Sequence, residues 1–249
     1  MKTLSRKVAV ITGGSSGIGL ASAQLFAEHG ARVAITGRRE DALKDALARI
    51  DGEAISILGD VADIQHHQKV ADEVEKAFGK IDIYLANAGV NTIRHHSSVD
   101  EEEYDAQFAV NTKGIFFGVQ KIVPVMRDGG AIILTGSIAS DHVLDGHGVY
   151  AGTKAAIGAF ARSWALELKD RGIRVNVLSP GPVDTPILEK LGVPAHEMDG
   201  LRQQVAAAIP LGRLGTSNEL ARAALFLASD ASSFVTGINL RVDGGMSLL

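Results

Sequence analysis

The chain has 249 residues, 46% of them hydrophobic and 22% charged, with a formal net charge of -4. That length and balance suit a single α/β domain with one sizeable core, and the scattered Lys and Arg argue against the basic face that nucleic acid needs. No cysteine occurs, which removes disulfides and thiolate metal sites. No apolar run reads as a membrane span or secretory leader, so a cytoplasmic location is expected.

Short apolar runs alternate with longer segments of helical periodicity. Residues 8–11 read as a strand, and 18–29 as a helix closed by Gly30. A second strand over 33–36 leads to a helix over 41–50, and a third over 54–58 ends at Gly59 and Asp60. Residues 66–78 are helical, with Val70, Val74 and Phe78 spaced for one face, and 81–86 form the fourth strand. A long helical region over 101–126 precedes a fifth strand at 131–135. Helix 150–169 and strand 174–178 follow, and a polar, Pro-bearing stretch over 179–210 interrupts the alternation. Ser217 is expected to cap a helix over 219–228, and 239–242 make a last short strand. The alternation predicts a doubly wound parallel α/β sheet of about seven strands with helices on both faces.

The first strand runs directly into Thr12-Gly13-Gly14-Ser15-Ser16-Gly17-Ile18-Gly19 and then a helix. Glycines permit a tight turn and close backbone approach, while the helix start offers unpaired N–H groups to a pyrophosphate. A lone glycine-rich turn also reads as a plain connection. Its place after the first strand is the context a dinucleotide site demands.

Tyr150 and Lys154 are four apart on a predicted helix and share one face. A phenol is a poor base at neutral pH, and a neighbouring ammonium would favour phenolate. Such a pair can exchange a proton with a substrate oxygen. Ser137 falls just past the fifth strand, on the edge where open α/β sheets bind ligands, with Ser140 as its nearest competitor. Asn111 sits in a helical region although Asn is a mediocre helix former.

With Asp60-Val61 after the third strand, Asn87-Ala88-Gly89 after the fourth, Pro180-Gly181 after the sixth and Val242-Asp243-Gly244-Gly245 near the end, these motifs span essentially the whole chain. Together they resemble the short-chain dehydrogenase/reductase family. The resemblance implies a Rossmann-like single domain that moves hydride between NADP(H) and a small carbonyl or secondary alcohol. Tyr150 would be the acid/base, Ser137 would steady the substrate oxygen, and Asn111 would hold a relay water to Lys154. For the cofactor it implies Gly13, Ser15, Ser16, Gly17, Ile18 and Gly19 around the pyrophosphate, and Asp60 and Val61 at the adenine. Asn87, Ala88 and Gly89 would line its path, Tyr150 and Lys154 would hold the nicotinamide ribose, and Pro180, Gly181, Val183 and Thr185 would meet the nicotinamide end. It also implies a homotetramer, whereas the residues alone leave a dimer open.

Gly37 stands where an NAD-selective acid would accept the ribose hydroxyls, and Arg38 and Arg39 follow it. Arg38 suits a 2′-phosphate, so NADP is expected, with NAD as the alternative. Ser16, where some NADPH-dependent members carry a second base, weakens that expectation. Substrate contacts are expected from 90–98, 138–148 and a lid over 186–208, including Ile93, Val143, Leu144, Ile187, Leu188, Leu191 and Val193. His95, His96, His142 and His147 lack carboxylate ligands at metal-site spacing and read as solvated or pocket-lining, His147 nearest Tyr150. The rivals are an NAD-dependent alcohol or sugar dehydrogenase, an enoyl reductase, which would space its Tyr and Lys differently, and a nucleotide-sensing regulator without turnover.

Overall fold

The structure is a computed structural model that describes residues 3–142, 145–185 and 195–249. Its main sheet begins with β1 (Val8–Thr12), β2 (Arg32–Gly37), β3 (Ala54–Leu58), β4 (Ile81–Ala86), β5 (Met126–Thr135) and β6 (Arg174–Pro180). β7 (Val183–Asp184) and β8 (Gly215–Thr216) pair only with each other, and β9 (Asn239–Val242) completes the main sheet. The order is β3-β2-β1-β4-β5-β6-β9, seven strands with parallel neighbours throughout. The helices are α1 (Gly17–Glu28), α2 (Glu40–Leu47), α3 (Ile64–Phe78), α4 (Glu101–Phe108), α5 (Gly114–Ile122), α6 (Gly148–Glu167), α7 (Met198–Ala207) and α8 (Ser217–Ala228).

The period-two alternation of each strand splits the core in two. On one face Ala9, Ile11, Val33 and Ile35 meet Phe26 of α1, Leu43 of α2 and Leu220 of α8. On the other, Val8, Val10, Ile132 and Val175 meet Val70 of α3, Val119 of α5 and Ile157 of α6. Burial on both faces explains why the central strands read as unbroken apolar runs. Each fully buried large side chain is worth about 1.5–3 kcal/mol, so the two layers hold the sheet rigid beneath its carboxyl edge.

The expected long helix over 101–126 is broken up. α4 ends at Phe108, a π-helical turn spans Ala109–Lys113, and α5 stops at Ile122. Met126 already opens β5, pairing with Ile81 before a register shift. The exposed Arg127, Asp128 and Gly129 carry that irregularity, and their polarity hides the start of the strand. Thr216, not Ser217, caps α8: its hydroxyl accepts from Glu219 N at 3.3 Å, while the Glu219 carboxylate accepts from Thr216 N at 2.8 Å. The Glu three residues after Thr216 completes a capping box and decides between two adjacent cap formers. The interrupted stretch holds α7 and the β7–β8 pair, strands too short to leave a periodic signal.

Candidate active site

Chain order reverses between β1 and β4, and the loops leaving their carboxyl ends part there to open a crevice. The loop after β1 is packed backbone on backbone against the loop after β4. A Cβ on Gly19 would lie 2.3 Å from the Gly13 carbonyl oxygen, and one on Gly13 would lie 2.9 Å from Ala88 Cα. Thr12 ties the two loops together, its hydroxyl accepting from Asn87 N at 2.9 Å and Ala88 N at 3.0 Å. Asn87 Nδ2 donates back to the Thr12 carbonyl at 3.1 Å. The motif named Thr12 without a role; its part as a clasp shows only in three dimensions.

The start of α1 suits an anion. Ser16 makes no side-chain capping bond there and the first turn carries no acid, whereas Asp63, Asp100 and Thr216 cap α3, α4 and α8. Unsatisfied N–H groups and the positive dipole end are therefore left facing the crevice. Thr185 stands across from this turn, its Cβ 3.7 Å from where a Gly17 Cβ would be. The residues present thus fit a dinucleotide pyrophosphate.

Where the adenosine end is expected, Arg38 leaves β2 exposed and pairs with Asp60 at 3.5 Å. Asp60 Oδ1 also accepts from Ala62 N at 2.9 Å. The Val61 carbonyl accepts from His67 Nε2 at 2.8 Å, which fixes the backbone between α3 and the sheet edge. Arg39 is the exposed residue before α2. Ile18 packs against the core, and Val183 is buried in it. Gly181 N donates to the Val242 carbonyl at 3.0 Å, joining the Pro180-Gly181 turn to the C-terminal strand.

Asn111, Ser137, Tyr150 and Lys154 come together at the carboxyl edge, from the π turn, the end of β5 and α6. The π turn holds Asn111 fully buried, a geometry that often marks functional sites. Its Oδ1 accepts from Val90 N at 2.9 Å, and its Nδ2 donates to the Val90 carbonyl at 2.8 Å and to Thr153 Oγ1 at 3.2 Å. Thr153 in turn donates to the Tyr150 carbonyl at 2.7 Å. Lys154 is buried, donates from Nζ to the Thr135 carbonyl at 2.8 Å, and sits 5.7 Å from the centre of the Tyr150 ring. Thr135 and Thr153 gave no sign in the sequence. A Cβ on Gly89 would lie 3.3 Å from Asn111 Oδ1 and 3.5 Å from Lys154 Nζ, so the missing side chain leaves a gap between those two polar atoms.

Burial pushes the Tyr150 phenol up from its usual value, and a hydrogen bond with Ser137 opposes the rise. Burial likewise lowers the Lys154 ammonium to about 8. Ser137 Oγ accepts from Ala139 N at 3.1 Å, while the competing Ser140 hydroxyl is 2.9 Å from the Ser137 carbonyl oxygen, which accepts from it. His147 packs edge-on to Tyr150 with ring centres 6.3 Å apart. Of the expected substrate stretches, Gly146 meets the 90–98 loop, accepting from Arg94 N at 2.9 Å. Val143, Leu144, Ile187, Leu188, Leu191 and Val193, and with them most of the expected lid, lie outside the described residues. Among the described residues no three His, Cys, Asp or Glu gather as a metal site, and no helix is long and apolar enough to cross a membrane.

A crevice at the switch point of a parallel sheet, with a glycine loop at one end and a Ser–Tyr–Lys cluster at the other, defines a nucleotide-linked oxidoreductase, and the comparisons with known proteins agree. The family model described as enoyl-(acyl carrier protein) reductase matches residues 13–247. The chain belongs to the short-chain dehydrogenase/reductase family and is an oxidoreductase of it. It is 40% identical to an oxidoreductase of Sarocladium schorii, over 99% of this chain and 98% of that one. It is 37% identical to the 3-oxoacyl-(acyl-carrier-protein) reductase of Thermotoga maritima, over 98% of each. The solved structure of levodione reductase superposes with a TM-score of 0.94 at 27% identity, covering 98% of this chain and 99% of that one.

Proposed function

We propose that this oxidoreductase is an NADP(H)-dependent carbonyl reductase, working in reverse as a secondary-alcohol dehydrogenase, with Tyr150 as its acid/base. The observation that carries the reading is the convergence of the Tyr150 phenol, the Ser137 hydroxyl and the Lys154 ammonium at the carboxyl edge. Two relatives bear the names of ketone reductases, which supports a carbonyl substrate over an enoyl one. The spacing of four between Tyr150 and Lys154 points the same way.

When bound, the nicotinamide supplies hydride to the carbonyl carbon. The chain manages the proton. Ser137 donates a hydrogen bond to the carbonyl oxygen, and Tyr150 passes its phenolic proton to that oxygen as the π bond opens, leaving alcohol and phenolate. Lys154 favours the phenolate electrostatically and would hold the nicotinamide ribose. The gap at Gly89 suits a water that restores the proton, since Asn111 Oδ1 keeps a second lone pair beyond its bond from Val90. Arg38 favours NADP over NAD, because its exposed pairing with Asp60 is worth about 0–1 kcal/mol and gives way readily to a 2′-phosphate. The chain acts as one catalytic domain on a small molecule, in the cytoplasm, as a homotetramer.

The test is Tyr150→Phe. NADPH oxidation against aliphatic, aromatic and diketone substrates is expected to fall by about 10²–10⁴-fold. Binding of NADPH, followed by its fluorescence, is expected to persist. Near-normal turnover in the variant removes Tyr150 from the chemistry.

A further inference from the structure

His147 ends the loop before α6, one turn ahead of Tyr150, and its ring packs against the phenol that Ser137 and Lys154 also approach. Its ring stands at 67° to the phenol ring, edge to face, with centres 6.3 Å apart. Its Nδ1 lies 3.0 Å from the Asp145 carbonyl oxygen. A carbonyl oxygen can only accept, so Nδ1 is a protonated nitrogen, and a neutral imidazole of that tautomer has a bare lone pair on Nε2. That second nitrogen has no hydrogen-bond partner among the described residues, and it points away from the carbonyl that holds the first. His147 is partly buried. A free acceptor on a ring packed against the proton donor's ring is a poor neighbour for a plain ketone, because seating an apolar substituent against it strips its water and returns nothing.

We infer that His147 selects substrates with a hydroxyl next to the reacting carbonyl, accepting a hydrogen bond from that hydroxyl at Nε2. The substrate class is then the 2-hydroxy ketones, with vicinal diols in the reverse direction. This rests on the carbonyl-reductase reading. Hydride and proton go where that reading places them, at the carbonyl carbon and oxygen, and the neighbouring hydroxyl is unchanged. Only its orientation is fixed, which sets the carbonyl oxygen toward Tyr150 and Ser137. A site built to bond a substrate hydroxyl discriminates against the analogue lacking it far better than a hydrophobic pocket rejects an extra hydroxyl.

The test compares kcat/KM for 1-hydroxy-2-butanone and 2-butanone, with NADPH and with NADH, in the wild type and two variants. A hydroxyl activates its neighbouring ketone chemically, so the readout is the change in the ratio between proteins, from which that intrinsic effect cancels. His147→Phe keeps a flat ring against Tyr150 and deletes the acceptor; the ratio is expected to fall about tenfold, the worth of one hydrogen bond of about 1.4 kcal/mol. His147→Gln keeps an acceptor and should hold the ratio within about threefold of wild type. A purely packing role would reverse the pattern, with Phe neutral and Gln harmful, and that result overturns the inference. Wild-type protein that reduces other ketones but shows no change of ratio in His147→Phe, or that reduces neither butanone, also overturns it while the reductase reading stands. No turnover across the whole carbonyl panel instead defeats that reading itself.

Discussion

Lys154 is the residue whose environment is most at odds with its charge. It is 4% exposed, and the Thr135 carbonyl is the acceptor its ammonium reaches. Burial lowers it from 10.5 to about 8. The sign of the consequence follows from proton counting: between about pH 8 and 10.5 the unfolded chain binds a proton that the folded one has shed, so stability from this group rises with pH. Below pH 8 the buried charge exerts its full cost. Lys154→Met is therefore expected to melt higher than wild type at pH 7, by roughly 2–4 °C per kcal/mol relieved, with the gap closing toward pH 10.5. Turnover should be lost at every pH. Thermal unfolding at pH 7 and pH 10 checks this, and a variant less stable than wild type at pH 7 contradicts it. Retaining a destabilising cation beside a phenol is a cost in stability that the proposed proton transfer would explain.

At the scale of elements, the ends of strands and helices do the selecting. β2 stops at Gly37, and the next residue, Arg38, stands 61% exposed by its side chain. A charge-assisted bond to a 2′-phosphate is worth about 1.5–3 kcal/mol, so Arg38→Ala should lower kcat/KM for NADPH by roughly 10–100-fold. Efficiency with NADH should hardly change. Steady-state kinetics with both nucleotides decides it, and equal efficiency with NADH and no effect of the substitution would reverse the preference for NADP. Element ends were also the hardest part to read. β3, β4 and β9 fall on the residues their apolar runs indicate, although only β4 is buried throughout, β3 and β9 being the partly exposed edge strands of the sheet. The start of β5 is masked by exposed Arg127 and Asp128, and the cap of α8 depended on which of Thr216 and Ser217 Glu219 answers.

At the scale of the molecule, one flank of α4, α5 and α6 gathers aromatic side chains, of which Phe116 and Tyr104 are left exposed. Phe116 is 37% exposed and meets Phe160 and Trp164 with ring centres 5.4 and 5.6 Å away, while Tyr104, 44% exposed, stacks on Phe108. Such a patch on a small enzyme suits a subunit interface, in keeping with the proposed homotetramer. Phe116→Lys places a charge in that interface and is expected to yield smaller species in sedimentation velocity, with the helical circular dichroism kept. An unchanged sedimentation coefficient would show that this flank carries no contact between subunits.

Alternating apolar runs and helical periods were enough to specify a doubly wound parallel sheet, and the glycine loop marked where its first helix begins, because those signals are local. The spacing of Tyr150 and Lys154 placed two groups of the proposed site on one helix face for the same reason. What only the tertiary structure decided lies between residues far apart in the chain. The π turn that turns Asn111 onto Val90 and Thr153, the Thr135 carbonyl beneath Lys154, and the clasp of Thr12 on Asn87 and Ala88 each join separate segments. No short-range pattern encodes such contacts. They follow from how the sheet's edge brings its loops together once both faces are buried.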